Sequence, residues 1–439
     1  MATRKRIELT ERQVAVVWQQ IVGRNLACTG DEPIKVIYPG RANGDKGPDF
    51  RDAVIRQQSS LARGDVEVHV RSSDWYGHEH HADAEYNDVI LHVVMWHNCN
   101  SITLLQSGRS VPVLSLSQAL QHQAYLLPHR LACFQTPGQP DRKRLLGSLS
   151  SAGEERFRHK AARFREDLVG LTAREEAGQV LFRGMMRALG YAKNTSPFEE
   201  LADRMPLKGL EAGQGLAVKQ ALLLGTAGLL PSQRWPDESV SAPEVQKLEQ
   251  TWRSARESLR TMSKEDWNLS HIYPNNSPVR RIIAQSHLLE RYRKDGLLTA
   301  MIDLVMKTPL PKGQHTLENG LTVAGRGYWR DHFDFAARSR TRMSALLGNN
   351  KARELAVNVA LPFAYSWGQL TGETGLAERA LEVYRSYPRL TDNCITLHMK
   401  KQFGLEGPSG LTACHQQGLI HIFRCYCREG RCSQCPLVA

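Results

Sequence analysis

The chain is 439 residues long, 41% hydrophobic and 23% charged, enough for two or three compact units at roughly 150 residues each. Its longest mostly apolar run, residues 221–230, falls far short of the roughly 20 residues of a spanning helix, and the opening MATRKRIELTERQ has no apolar stretch for export, so a cytoplasmic protein without membrane contact is expected. Lys and Arg number 57 against 45 acids, and the resulting net charge of +12 favours a polyanionic partner, DNA or RNA.

In chain order, Val14, Val17, Trp18 and Ile21 recur at helical spacing and predict an amphipathic helix. Short runs rich in Val and Ile, split by Gly, Pro, Asn and Asp, predict strands over residues 34–38, 50–56, 65–71, 89–96 and 102–105. These make an α/β domain with a mixed sheet over residues 1–135. The Thr, Pro, Gly, Gln and Ser of residues 134–150 mark a boundary, after which helical spacing dominates over 154–170, 177–189, 216–229, 245–261, 279–289 and 351–364. Prolines such as Pro231, Pro278 and Pro309 fall between these segments, where the ring stops one helix and costs the next nothing. A mainly α-helical domain is thus expected over 145–410, followed by a helix and a cysteine-rich tail over 411–439. The basic stretch 142–193 is interleaved with Glu and Asp and reads as a solvated helix face.

The most informative segment is GDKGPDFRDAVI followed by ARGDVEVHVRSSDW. With residues 65–71 extended, Asp65, Glu67, His69 and Arg71 project to one side, while Val66, Val68 and Val70 pack on the other. Asp49, in the preceding Pro-Asp turn, is placed to meet Glu67 across the strand pair. Carboxylates brought together in a partly buried site repel, and protonation or a divalent cation relieves them. Oxygen ligands with an open position suit Mg²⁺ or Mn²⁺.

Pro48-Asp49 and Glu67-Val68-His69 resemble the PD-(D/E)XK motif of restriction-endonuclease-like nucleases. The resemblance implies a restriction-endonuclease-like sheet and a metal held by Asp49 and Glu67. Glu11 on the preceding helix is a third candidate ligand. His69 stands where that family usually has the Lys that orients the attacking water, with Arg71 one pleat further on. GPDF, GDVEVHVRSSDWYGHEHHADAEYNDVILHVV, QQGLIHIF and the terminal CxxxxCxxCPL together resemble an uncharacterised bacterial domain-of-unknown-function family over nearly the whole chain.

Between these strands, His78, His80, His81 and Asp83 crowd a polar loop with no common zinc spacing. They read either as metal ligands, as substrate contacts or as an ordinary loop. His92, inside an apolar strand, reads as a hydrogen-bonded core histidine. Trp75 and Tyr76 read either as stacking platforms for bases or as rim packing.

Of nine cysteines, four lie in the last fifteen residues: Cys425, Cys427, Cys432 and Cys435. The Cys427-x4-Cys432-x2-Cys435 spacing among arginines predicts a metal or cluster site, with a fourth ligand drawn from Cys425, Cys414 or His421. It resembles part of the iron–sulfur loop of helix-hairpin-helix DNA glycosylases. Spacing leaves Zn²⁺ and a [4Fe-4S] cluster both open. Arg280 and Arg281, in the first turn after Pro278, suggest either an anion site or buried ion pairs. No Gly-rich phosphate loop, Gly-x-Ser-x-Gly elbow or His-Glu-x-x-His pair is present, which disfavours a P-loop ATPase, an α/β-hydrolase and a zincin. The expected function is a metal-dependent phosphodiesterase acting on DNA or RNA, with Asp49, Glu67, His69 and Arg71 at its centre. The alternative is a catalytically inactive nucleic-acid-binding protein with a structural zinc or iron–sulfur site.

Overall fold

The computed structural model describes residues 9–29, 32–99, 101–119, 133, 142–171, 173–191, 193–213, 215–235, 242–255, 259–269, 274–310, 313–335, 337–405 and 410–437. Part of the expected boundary region, residues 134–141, lies outside them. The N-terminal region sets a helix, α1 (Glu11–Gln20), on a seven-stranded mixed sheet. Its strands are β1 (Asn25–Ala27), β2 (Pro33–Tyr38), β3 (Arg41–Ala42), β4 (Phe50–Gln57), β5 (Ser60–Arg71), β6 (Val89–Trp96) and β9 (Val113–Ser115). A separate two-stranded ribbon joins β7 (Thr103–Leu104) and β8 (Ser110–Val111), so the strand expected over 102–105 is short and outside the main sheet. The order is β1-β2-β4-β5-β6-β9, with β3 paired to β4. β6 runs parallel to both β5 and β9, and the remaining pairs are antiparallel.

The alternation read in β5 decides which face holds the core. Val66 and Val68, in register with Leu91 and Val93 of β6, join Val14 and Trp18 of α1 and Ile34, Val36 and Ile55 in one fully buried cluster. Each such aliphatic contributes on the order of 2 kcal/mol by leaving water, so a one-residue slip of β5 would be costly. Gly64 permits the close approach to β6: a Cβ there would lie 2.4 Å from the Asp88 carbonyl oxygen. Between Phe50 and Ala53 the β4–β5 register shifts, and Asp52 takes a φ of 61°. Asp65 secures this bulge, its carboxylate accepting from the Asp52 amide at 3.1 Å and from Arg51 at 2.5 Å. Bulges re-aim side chains beside functional sites, and this one follows directly on Asp49.

The chain divides into two compact units that are not successive in sequence. One unites Met1–Gly153, Asp392–Ser409 and Gln417–Ala439; the other unites Glu154–Thr391 and Gly410–Gln416. The terminal cysteines therefore belong with the sheet and do not form a third unit after residue 411. Within that first unit, Gly430 packs against Val54 and Ile37, and Arg428 pairs with Asp52 at 3.2 Å.

The second unit is mainly helical. Helices Arg174–Leu189, Leu216–Thr226, Pro278–Arg291 and Leu361–Thr371 bury one apolar cluster, including Phe182, Met186, Leu224, Ile283 and Phe363. The helix expected over 154–170 starts earlier, at Arg142. The one expected over 351–364 contains a π turn, Ala356–Ala360, just before Pro362, where the missing amide donor lets the ladder widen. Arg280 and Arg281 form no salt bridge with a described residue. Their terminal nitrogens donate to the carbonyls of Trp329, His332, Ala345 and Leu346, and to Tyr191 and Asn276. No helix among the described residues is long and apolar enough to cross a membrane.

Candidate metal centre

The polar face of β5 is buried: Asp65 and Glu67 are each 6% exposed and His69 is 1% exposed. These groups differ in how they are used. Asp65 is consumed by the β4 bulge. Glu67 is oriented by the Asp49 amide, which donates to its Oε2 at 3.0 Å, and this leaves Oε1 3.5 Å from His69 Nε2 and 3.2 Å from His80 Nε2. Asp49 is held in turn by the Val68 amide, which donates to Asp49 Oδ2 at 3.1 Å. The two acids named from sequence are thus interlocked through each other's strands. Burial first, and the Glu67 carboxylate second, push the Asp49 carboxyl up to about 7.

The loop histidines close over this face. After β5 the chain makes a short turn, α2 (Asp74–Gly77), and Glu79 then adopts a left-handed φ of 60° before the His80–Ala82 turn. A non-glycine residue there is strained. The strain is associated with a specific result: ligand nitrogens of His69, His78 and His80 come within 4.8 Å of one another. His78 Nδ1 stands 3.1 Å from His69 Nε2, and His80 stacks on Tyr86 at 3.9 Å between ring centroids. Behind them, His69 Nδ1 meets His92 Nε2 at 2.9 Å, and His92 Nδ1 meets Thr103 Oγ1 at 3.3 Å. Burial lowers both the His69 and the His92 imidazoles, His92 to about 3, so both are neutral near pH 7.

Glu11, in the first turn of α1, is exposed, and its carboxyl is raised by partial burial. Among the charges it senses, His78 comes first and Glu67 second, which places it at the rim of the same centre. Arg71 is exposed at the far end of β5, beyond His69. Trp75 is fully buried beneath the loop, its indole donating to the Leu104 carbonyl at 2.9 Å, and cannot stack on a base. Tyr76 donates to the Ile102 carbonyl. His78 and His80 thus join Glu67 and His69 at one centre. The signal for them in the sequence was the His-x-His pair a short loop away from His69.

The cysteines separate. Cys427, Cys432 and Cys435 line one small cavity, and Cys133 lines it with them. Cys425 does not line it: it faces His421 Nδ1 at 3.7 Å. Cys414 lies beside Tyr384 in the helical unit. None of Cys425, Cys414 and His421, the candidates for a fourth ligand, lines that cavity.

No curated protein and no solved structure matches the chain. A family model described as a protein of unknown function (DUF2851) matches residues 11–393, which include every side chain of the histidine–carboxylate centre, and the chain belongs to that family.

Proposed function

We propose that the N-terminal unit is a metal-dependent phosphodiesterase of restriction-endonuclease-like fold that acts on DNA or RNA. The observation that carries this reading is the convergence of Glu67 Oε1 with His69, His78 and His80 beside Asp49 on a valine-backed strand. The donor set fits a divalent ion. His80 Nε2 is buried without a hydrogen-bond partner, although it stands 3.2 Å from a carboxylate oxygen, which is the position of an atom awaiting a cation. Burial keeps the His69 imidazole neutral, as ligation requires. Three imidazoles with one carboxylate move the expected metal from Mg²⁺ toward Mn²⁺ or Zn²⁺.

A divalent ion held there supplies a polarised phosphoryl oxygen and a more acidic water. The residues do the rest. Glu67, fixed by the Asp49 amide, cannot swing away, and His92 and Thr103 hold the His69 ring in one orientation, as outer partners of metal-bound histidines do. Asp49, its carboxyl raised to about 7, and Glu11 at the rim are the candidates to exchange a proton or complete the coordination. Arg71, exposed at the end of β5, is the candidate to meet the phosphate charge, and the +12 net charge attracts the polyanion. In the nuclease motif a mobile Lys orients the water. The buried His69 does not take that role, and it serves here as a ligand.

Purified chain supplied in turn with Mn²⁺, Zn²⁺ and Mg²⁺ should cleave single- or double-stranded DNA or RNA, and a D49A/E67A variant should not. Full cleavage by that variant removes these residues from the reaction. His69, 1% exposed and engaged at both nitrogens, also supports a second reading, a binding protein that retains the centre without turnover. That reading gives affinity falling steeply with salt, by counterion release, and no product.

A further inference from the structure

The sheet unit carries a second cluster of metal-ligating side chains, separate from the histidine centre. Cys133, Cys427, Cys432 and Cys435 line one small cavity with Tyr38, Gln402, Phe403 and Tyr426. Cys427 and Cys435 are 8% and 5% exposed, and none of the four is in a disulfide. Four thiols around one cavity are the complete ligand set of a tetrahedral zinc or of an iron–sulfur cluster.

Spacing separates these two. A single zinc holds its sulfurs at about 2.3 Å from one centre, which brings all four into mutual contact. Here, among the described residues, no three cysteine sulfurs lie within 4.8 Å of one another. A cubane carries its thiolates on four corners and spans a wider ring. The surroundings also fit such a group. Gln402 Nε2 donates to Cys133 Sγ at 3.4 Å, and the Leu437 amide reaches Cys435. N–H donors aimed at the sulfurs offset the negative charge that four thiolates bring to a cluster, one of the ways a protein tunes it. Burial, with Cys435, Cys133 and Cys432 as the next contributors, raises the Cys427 thiol, so the cavity holds thiols until metal displaces their protons.

We propose that Cys133, Cys427, Cys432 and Cys435 ligate a [4Fe-4S] cluster, with Cys133 as the fourth ligand. Each thiol loses one proton and forms one iron–sulfur bond. The cluster ties Cys133 to the C-terminal residues of the same unit, and this assignment does not depend on the histidine centre.

The test is elemental and spectroscopic analysis of the full chain, purified anaerobically and reconstituted with iron and sulfide. Wild-type protein should carry about four iron and four sulfide per chain with a brown charge-transfer absorption. C133S should lose most of the iron and colour, whereas C425S should keep both. Because C133S risks misfolding, the wild type alone is decisive. Failure to take up iron and sulfide, or stoichiometric zinc without sulfide, overturns the assignment. Full cluster content in a folded C133S removes Cys133 from the ligand set.

Discussion

Both units bury charged or ionisable side chains, and they satisfy them in different ways. In the helical unit the terminal nitrogens of Arg280 and Arg281 end on backbone carbonyls and neighbouring side chains, and Lys219, 1% exposed, ends on the Gly213 carbonyl and Glu290. Those groups are structural: each terminal nitrogen has an acceptor the fold itself supplies. In the sheet unit the buried imidazoles of His69 and His80, with the exposed His78 over them, face one another and a carboxylate, and their ligand nitrogens converge on one point. Burial alone does not separate function from framework. What distinguishes them is whether the charged ends are taken up by backbone acceptors or left facing one another.

The comparison breaks most sharply at the centre itself. Glu67→Ala or His69→Ala should weaken Mn²⁺ or Zn²⁺ binding by more than about 100-fold, beyond the usual cost of losing an outer partner; calorimetric titration checks this, and unchanged affinity removes that residue from the centre. Arg280→Met should do the opposite. It leaves the Trp329, His332 and Ala345 carbonyls without their donor, costs about 2–4 kcal/mol in chemical denaturation and leaves metal affinity unchanged. A loss of metal binding there would erase the distinction between the two units. His92→Ala, which removes the orienting partner of His69, should lower metal affinity by about 10–100-fold.

A smaller effect is set by pH. The Asp49 carboxyl is raised in the folded chain to about 7 from an ordinary 3.8. Folding therefore favours its protonated form, and this contribution to stability is complete below about pH 3.8 and disappears as pH rises toward 7. Without metal, Asp49→Asn should gain stability relative to wild type between pH 5 and 8, keeping an acceptor for the Val68 amide. A denaturation series with a chelator present checks the sign; a difference that does not vary with pH would contradict it.

The strand that carries the centre was legible because its alternation is strict: Val66 and Val68 against Glu67 and His69 admits one register, and the core confirms it. The Asp49–Glu67 proximity followed from the strand pair. The closure of His78 and His80 was not legible, since it depends on a left-handed Glu79 and on packing of His80 against Tyr86, neither of which leaves a spacing signature. Cys133 was hidden for a related reason. Its neighbours in space are remote in sequence, and only the return of the C-terminal residues to the sheet unit brings them together. Trp75 was open to either of two readings because an aromatic beside an acidic strand looks the same whether it is exposed or, as here, buried.

The most direct test is crystallographic: a crystal of the full chain soaked in Mn²⁺ or Zn²⁺ and measured at the metal's absorption edge. An anomalous peak bonded to Glu67 Oε1 and the nitrogens of His69, His78 and His80 is the predicted result. A centre that stays empty at saturating metal, with His69 Nε2 still bonded to His78 Nδ1, would contradict it.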